Sequence, residues 1–117
     1  MNSLEFVESS DCLIIRNKYL LCAIDLKDVY FFEKMGRKVN AVFRDKKIEY
    51  YGSLYQLEEI IKSRKFVRCH QSYIVNCEKV LMVDKDEIVF KDIVSTIYVS
   101  EKYKNDLIGR IEKAVST

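Results

Sequence analysis

Apolar residues in this chain come in short runs: Leu13 to Ile15, Tyr19 to Ile24, Val29 to Phe32, Val80 to Val83 and Ile88 to Phe90. Polar pairs and clusters such as Asn17-Lys18, Asp45-Lys46 and Asp84 to Glu87 separate them. Runs this short, rich in β-branched and aromatic residues and bounded by turn formers, are strand signals rather than helix signals. Between Lys38 and Arg44 the pattern alternates, with Val39, Ala41 and Phe43 on one side and Lys38, Asn40, Val42 and Arg44 on the other. That period of two is the strand signature, and Lys47 to Tyr51 reads as the hairpin partner. The segment Ile93 to Val99 is expected to close a meander begun at Val80.

Two segments break the pattern. Ser53 is a good N-cap, Gln56 follows three residues later, and Leu54, Leu57, Ile60 and Ile61 form one apolar stripe. This predicts a helix from Ser53 to Arg64, with Lys62, Arg64 and Lys65 near its C-terminal end, where the helix dipole favours cations. Ser100 then opens a final helix with Tyr103, Leu107, Ile108 and Ile111 on its apolar side. The expectation is a mainly β domain with a sandwich-like or barrel-like core, one internal helix and one terminal helix.

The 117 residues suffice to bury a core without disulfides or metals. No proline, few glycines and no low-complexity tract argue for a single domain over 1–117. The N-terminus lacks a basic segment followed by an apolar stretch, and no run could span a bilayer, so a cytoplasmic location without membrane contact is expected. Cys12, Cys22, Cys69 and Cys77 contain no C-x-x-C pair. Small core residues are therefore expected at Cys12 and Cys22, and neither a metal nor another cofactor is expected. The net charge of +2 hides an asymmetry: residues 1–34 carry −2, residues 35–72 carry +5 and residues 73–117 carry −1. A basic middle third is the footprint of a polyanion partner or a solvated lysine-rich face.

The chemistry concentrates at "KFVRCHQSYIVN", residues 65–76. Cys69 and His70, the sole histidine, are adjacent, and neighbours on a strand face opposite ways, so they do not meet as nucleophile and base. With no phosphate loop and no hydrolase motif, an enzyme acting on a small-molecule substrate is disfavoured. Arg68, His70, Gln71 and Ser72 can all hydrogen-bond. Glutamine can satisfy an adenine edge, and arginine and serine can hold phosphates. Two other readings compete: a β-rich protein-interaction module without nucleic-acid binding, and a thiol sensor at Cys69, which requires an exposed, low-pKa thiol.

"FVRCHQSYIVN" resembles the signature of the LytTR family of bacterial DNA-binding domains, the output modules of AlgR/AgrA/LytR-type response regulators. "DVYFFE" (28–33), "YGSLYQLEE" (51–59) and "IYVSEKYKNDL" (97–107) resemble further family blocks in the same order, and the likeness covers roughly residues 5–114. The resemblance implies an elongated sandwich of small antiparallel sheets with one short internal helix and a C-terminal helix. It also implies sequence-specific binding of double-stranded DNA by loops in successive major grooves, regulating transcription as the output of a two-component response regulator. Carried over by position, it assigns Arg37, with Lys38 beside it, to a first reading loop. Gln71 falls in a second, with Arg68, His70 and Ser72 orienting that loop or holding phosphates. Lys102 falls in a third, with Lys104 as a phosphate contact. Relatives bind repeated promoter sites as dimers, which implies a homodimer on DNA.

Overall fold

The computed structural model describes residues 2–61 and 65–115. Among them the order is β1 (Ser3–Val7), β2 (Cys12–Arg16), β3 (Leu21–Asp25), β4 (Phe31–Met35), β5 (Lys38–Val42), β6 (Lys47–Tyr51), α1 (Leu54–Ile60), β7 (Phe66–His70), β8 (Tyr73–Asn76), β9 (Val80–Asp84), β10 (Glu87–Phe90), β11 (Thr96–Tyr98) and α2 (Glu101–Val115). Three antiparallel sheets result, ordered β1-β2-β3, β6-β5-β4-β8-β7 and β11-β10-β9. The molecule is elongated, at 42 × 31 × 26 Å.

The five-stranded sheet is the middle layer, and strand alternation divides its apolar side chains between two cores. Phe32, Ala41, Phe66 and Ile74 enter one, which also takes Leu13, Ile15 and Ile24 from the first sheet and Leu54 and Leu57 from α1. Their sequence neighbours Phe31, Val42, Val67 and Val75 enter the other, with Ile88, Phe90 and Ile97 from the third sheet and Leu107 from α2. The ring of Phe90 stacks on Phe31 at 5.3 Å and meets Tyr30 edge-on at 5.9 Å, joining third sheet to middle sheet. Full burial of each such side chain is worth about 1.5–3 kcal/mol. Asn76 is buried at the join: its Nδ2 donates to Val29 O at 2.8 Å and its Oδ1 accepts from Glu78 N at 3.0 Å.

Several boundaries differ from the sequence expectation. The run at Tyr19 does not begin a strand, because Asn17 Oδ1 accepts from Tyr19 N and Leu20 N and closes a turn over residues 17–20. Ser53 Oγ accepts from Gln56 N at 3.1 Å, as expected of the cap, but α1 stops at Ile60 and Ile61 is already extended. The cations Lys62 and Arg64 lie outside the described residues. Of Ile93 to Val99 only Thr96–Tyr98 pairs as a strand, since Asp92 turns the chain with φ +63° after a register shift at Val89/Phe90. Ile108 is 40% exposed, so the apolar side of α2 rests on Leu107 with half-buried Tyr103 and Ile111.

Candidate nucleic-acid interface

Strand direction gathers the reversals of the middle sheet. β4 runs into the β4–β5 turn and β7 into the β7–β8 turn, and β8 lies beside β4. Lys34 N donates to Ser72 O at 2.9 Å, so the two tips are neighbours at one end of the sheet. Ser100 N donates to Cys69 O at 2.9 Å and brings the start of α2 to the outer side of the β7–β8 tip. On the other flank Gly52 N donates to Arg37 O at 3.0 Å, placing the β6–α1 junction beside the first tip. The three sequence-predicted regions thus share one edge, in the order Lys102, Gln71, Arg37.

The first tip is a two-residue turn, Gly36-Arg37, closed by the Met35–Lys38 pair. Gly36 has φ +63°, the sign a II′ turn demands of its first position and one glycine adopts without strain. Arg37 is exposed. Lys38 is committed: its Nζ lies 2.8 Å from Glu49 Oε1 and 5.0 Å from the Tyr51 ring centroid. The bond to Glu49 and its charge hold that ammonium above the ordinary lysine pKa.

The second tip is organised by Arg68. Its Nε donates to His70 O at 2.8 Å, its Nη2 to Gln71 O at 2.7 Å, and its Nη1 bonds Glu58 on α1. The fork of the guanidinium suits this, since it reaches two carbonyls and a carboxylate at fixed angles. His70 Nδ1 accepts from Ser72 N at 3.0 Å, which leaves Nε2 as the N–H of the neutral ring, and the ring leans on Tyr73 with centroids 5.2 Å apart. Gln71 is exposed at the apex of this scaffold. Arg68 and His70 therefore hold the turn and Gln71 is presented by it.

Cys69 is fully buried, at the register shift between Arg68 and His70. That burial, which also pushes its thiol up to about 12, is the opposite of an exposed reactive thiolate and counts against the thiol-sensor alternative. In the third region Lys102 is exposed with its Nζ 5.3 Å from the Tyr103 ring centroid, while Lys104 Nζ lies 3.1 Å from Asp86 Oδ1. Among the described residues Lys34, Arg37 and Lys102 make no ion pair, whereas Lys38, Arg68 and Lys104 do. Lys34 was not singled out by the sequence; its place two residues before Gly36, on the approach to the same tip, was the available signal. No group of metal-ligating side chains occurs among the described residues, and none of their helices is long and apolar enough to cross a membrane.

Three small antiparallel sheets, with the turns of the middle one gathered at one edge and helices flanking that edge, define a class of elongated β domain. Comparison by family places the chain within that class. The LytTr DNA-binding domain matches residues 20–112, and the chain belongs to this LytTR family of DNA-binding domains. Accessory gene regulator protein A of Staphylococcus aureus (strain N315) is 31% identical over 70 residues, which is 57% of this chain and 29% of that protein. The protein of the same name from Staphylococcus epidermidis (strain ATCC 12228 / FDA PCI 1200) is 30% identical over 70 residues with the same coverage. The match thus spans less than a third of these curated relatives. A solved LytTr DNA-binding domain from Bacillus cereus has the same fold, with TM-score 0.67 and 20% identity over 84% of this chain and 96% of that one.

Proposed function

We propose that this chain recognises specific double-stranded DNA by inserting its aligned turns into successive major grooves, and that it thereby controls transcription as the output domain of a response regulator. The observation that carries the reading is the alignment of the Gln71 turn, the Arg37 turn and the start of α2, which bears Lys102, on one edge. Arg37 would pair with guanine O6 and N7 through its fork, Gln71 with adenine N6 and N7, and Lys102 would act as a point donor with looser discrimination. Lys34 and Ser72 would hold phosphates beside them. Lys38 and Lys104 would reach phosphates only by releasing Glu49 and Asp86. Two copies on repeated promoter sites complete the proposal. The competing interaction-module reading expects these turns to be dispersed in the fold, and their common edge favours DNA.

Selection of bound duplexes from random DNA, followed by fluorescence anisotropy on the recovered site, tests it. Gln71→Ala is expected to weaken binding by about 1–3 kcal/mol and to relax preference at one base position. An equal loss on every sequence would remove Gln71 as a base reader. Affinity that does not fall with added salt would overturn DNA binding itself.

A further inference from the structure

A fourth turn lies on the same flank, outside the reading loops, and its tip residues Lys18 and Tyr19 precede the family match. Residues 17–20, Asn-Lys-Tyr-Leu, join β2 to β3, and with Arg16 at the end of β2 the stretch carries two cations and no anion. Lys18 is exposed and Tyr19 is 89% exposed, with Lys18 Nζ 5.5 Å from the Tyr19 ring centroid. A large aromatic in water on a hairpin tip buries nothing for the fold. The turn beneath it is nevertheless fixed, since Asn17 Oδ1 accepts from Tyr19 N at 2.8 Å and Leu20 N at 2.9 Å, and Asn17 N donates to Leu20 O at 2.9 Å.

The turn is also bonded to the reading edge. Asn17 Nδ2 donates to Asn2 Oδ1 at 2.7 Å, and Asn2 Nδ2 donates to Tyr51 O. Tyr51 pairs with Lys38, and Gly52 beside it donates to Arg37 O. Hydrogen bonds and backbone therefore run from the Arg37 turn to the Tyr19 turn. Three to four inter-strand steps and a sheet-to-sheet step put the Tyr19 turn on the order of 20 Å from the Gln71 turn. At 3.4 Å per base pair that is about six base pairs along a duplex.

We propose that the β2–β3 turn is a fourth DNA-contacting element, with Lys18 pairing a backbone phosphate and Tyr19 lying against the adjacent sugar edge. It lengthens the footprint on the β6 flank without reading bases. The family match begins at residue 20, after both side chains. The inference rests on the DNA reading above, and its test separates the two.

Wild type, Lys18→Ala, Lys18→Gln and Tyr19→Ser are footprinted by hydroxyl radicals on a selected duplex that extends a full helical turn beyond the site on both sides. Each variant is expected to lose backbone protection at one flank, about half a helical turn from the site centre, and to keep the same preferred bases. Both Lys18 variants should also lower the slope of log affinity against log salt by about 0.9. Unchanged footprints and slopes in variants that bind overturn the fourth contact and leave the DNA reading intact. A wild type that protects no duplex overturns both.

Discussion

Arg68 shows how one side chain can organise a turn from within the protein. Three of its nitrogens are used inside the protein, on two carbonyls of the Gln71 turn and on Glu58. Arg68→Lys keeps the charge and loses the fork, so it is expected to lower DNA affinity about tenfold or more while the fold persists. Amide exchange at residues 70–73 should quicken in the same variant; unchanged exchange would refute the clamp. The buried thiols give a second prediction. Burial raises Cys69 to about 12 and Cys77 to about 11, against 9.0 unfolded. Above pH 9 the unfolded chain releases thiol protons that the folded chain keeps, so stability falls as pH rises from 9 towards 12. Urea unfolding across that range should show a shallower fall in Cys69→Ala than in wild type. The site was partly legible at this scale. Arg37, Gln71 and Lys102 stand exposed where the sequence put them, but the capture of Lys38 by Glu49 and of Lys104 by Asp86 joins residues 11 and 18 positions apart, which no local pattern reveals.

At the scale of the element, two glycines that look alike in sequence behave oppositely. Gly109 lies within α2, and a Cβ there would meet nothing within 4 Å. Gly109→Ala is expected to stabilise by about 1 kcal/mol, read as a higher thermal midpoint with DNA affinity unchanged. At Gly52 a Cβ would stand 2.9 Å from Cε2 of the buried Tyr50 ring. Gly52→Ala should therefore lower the midpoint, and the β6–α1 junction that holds Arg37 O should loosen with it. Helix starts and strand centres were readable because caps and period two are local. The ends were not. Tyr19 reads as strand by composition, yet Asn17 makes it turn, and Thr96–Tyr98 is short because Asp92 bends the chain before it can pair.

The whole molecule is three layers, and the resemblance, rather than any local pattern, supplied the elongated stack of small antiparallel sheets that the structure has. Alternation at Lys38 to Arg44 divided the strand between two faces but did not show that both are covered: Asn40 and Val42 are buried too, against a layer supplied by residues far along the chain. A sheet covered on both sides should open only when everything opens. In native-state hydrogen exchange the amides of β4 and β8, central in the middle sheet, are expected to exchange with the global unfolding free energy, and those of the edge strands β1 and β11 sooner. Faster exchange in β4 than in β1 would contradict the layered core. The same covering bears on how such a protein can change its target over generations. Side chains of the middle sheet such as Phe31, Phe32, Ala41, Val42, Ile74 and Val75 are buried on one face or the other, where substitutions cost kilocalories. At the tips, exposed residues such as Arg37 and Gln71 can be exchanged within about 0.5 kcal/mol of stability. On the proposed reading, a lineage built on this scaffold acquires a new operator by replacing a few tip residues, while the interior beneath them stays as it is.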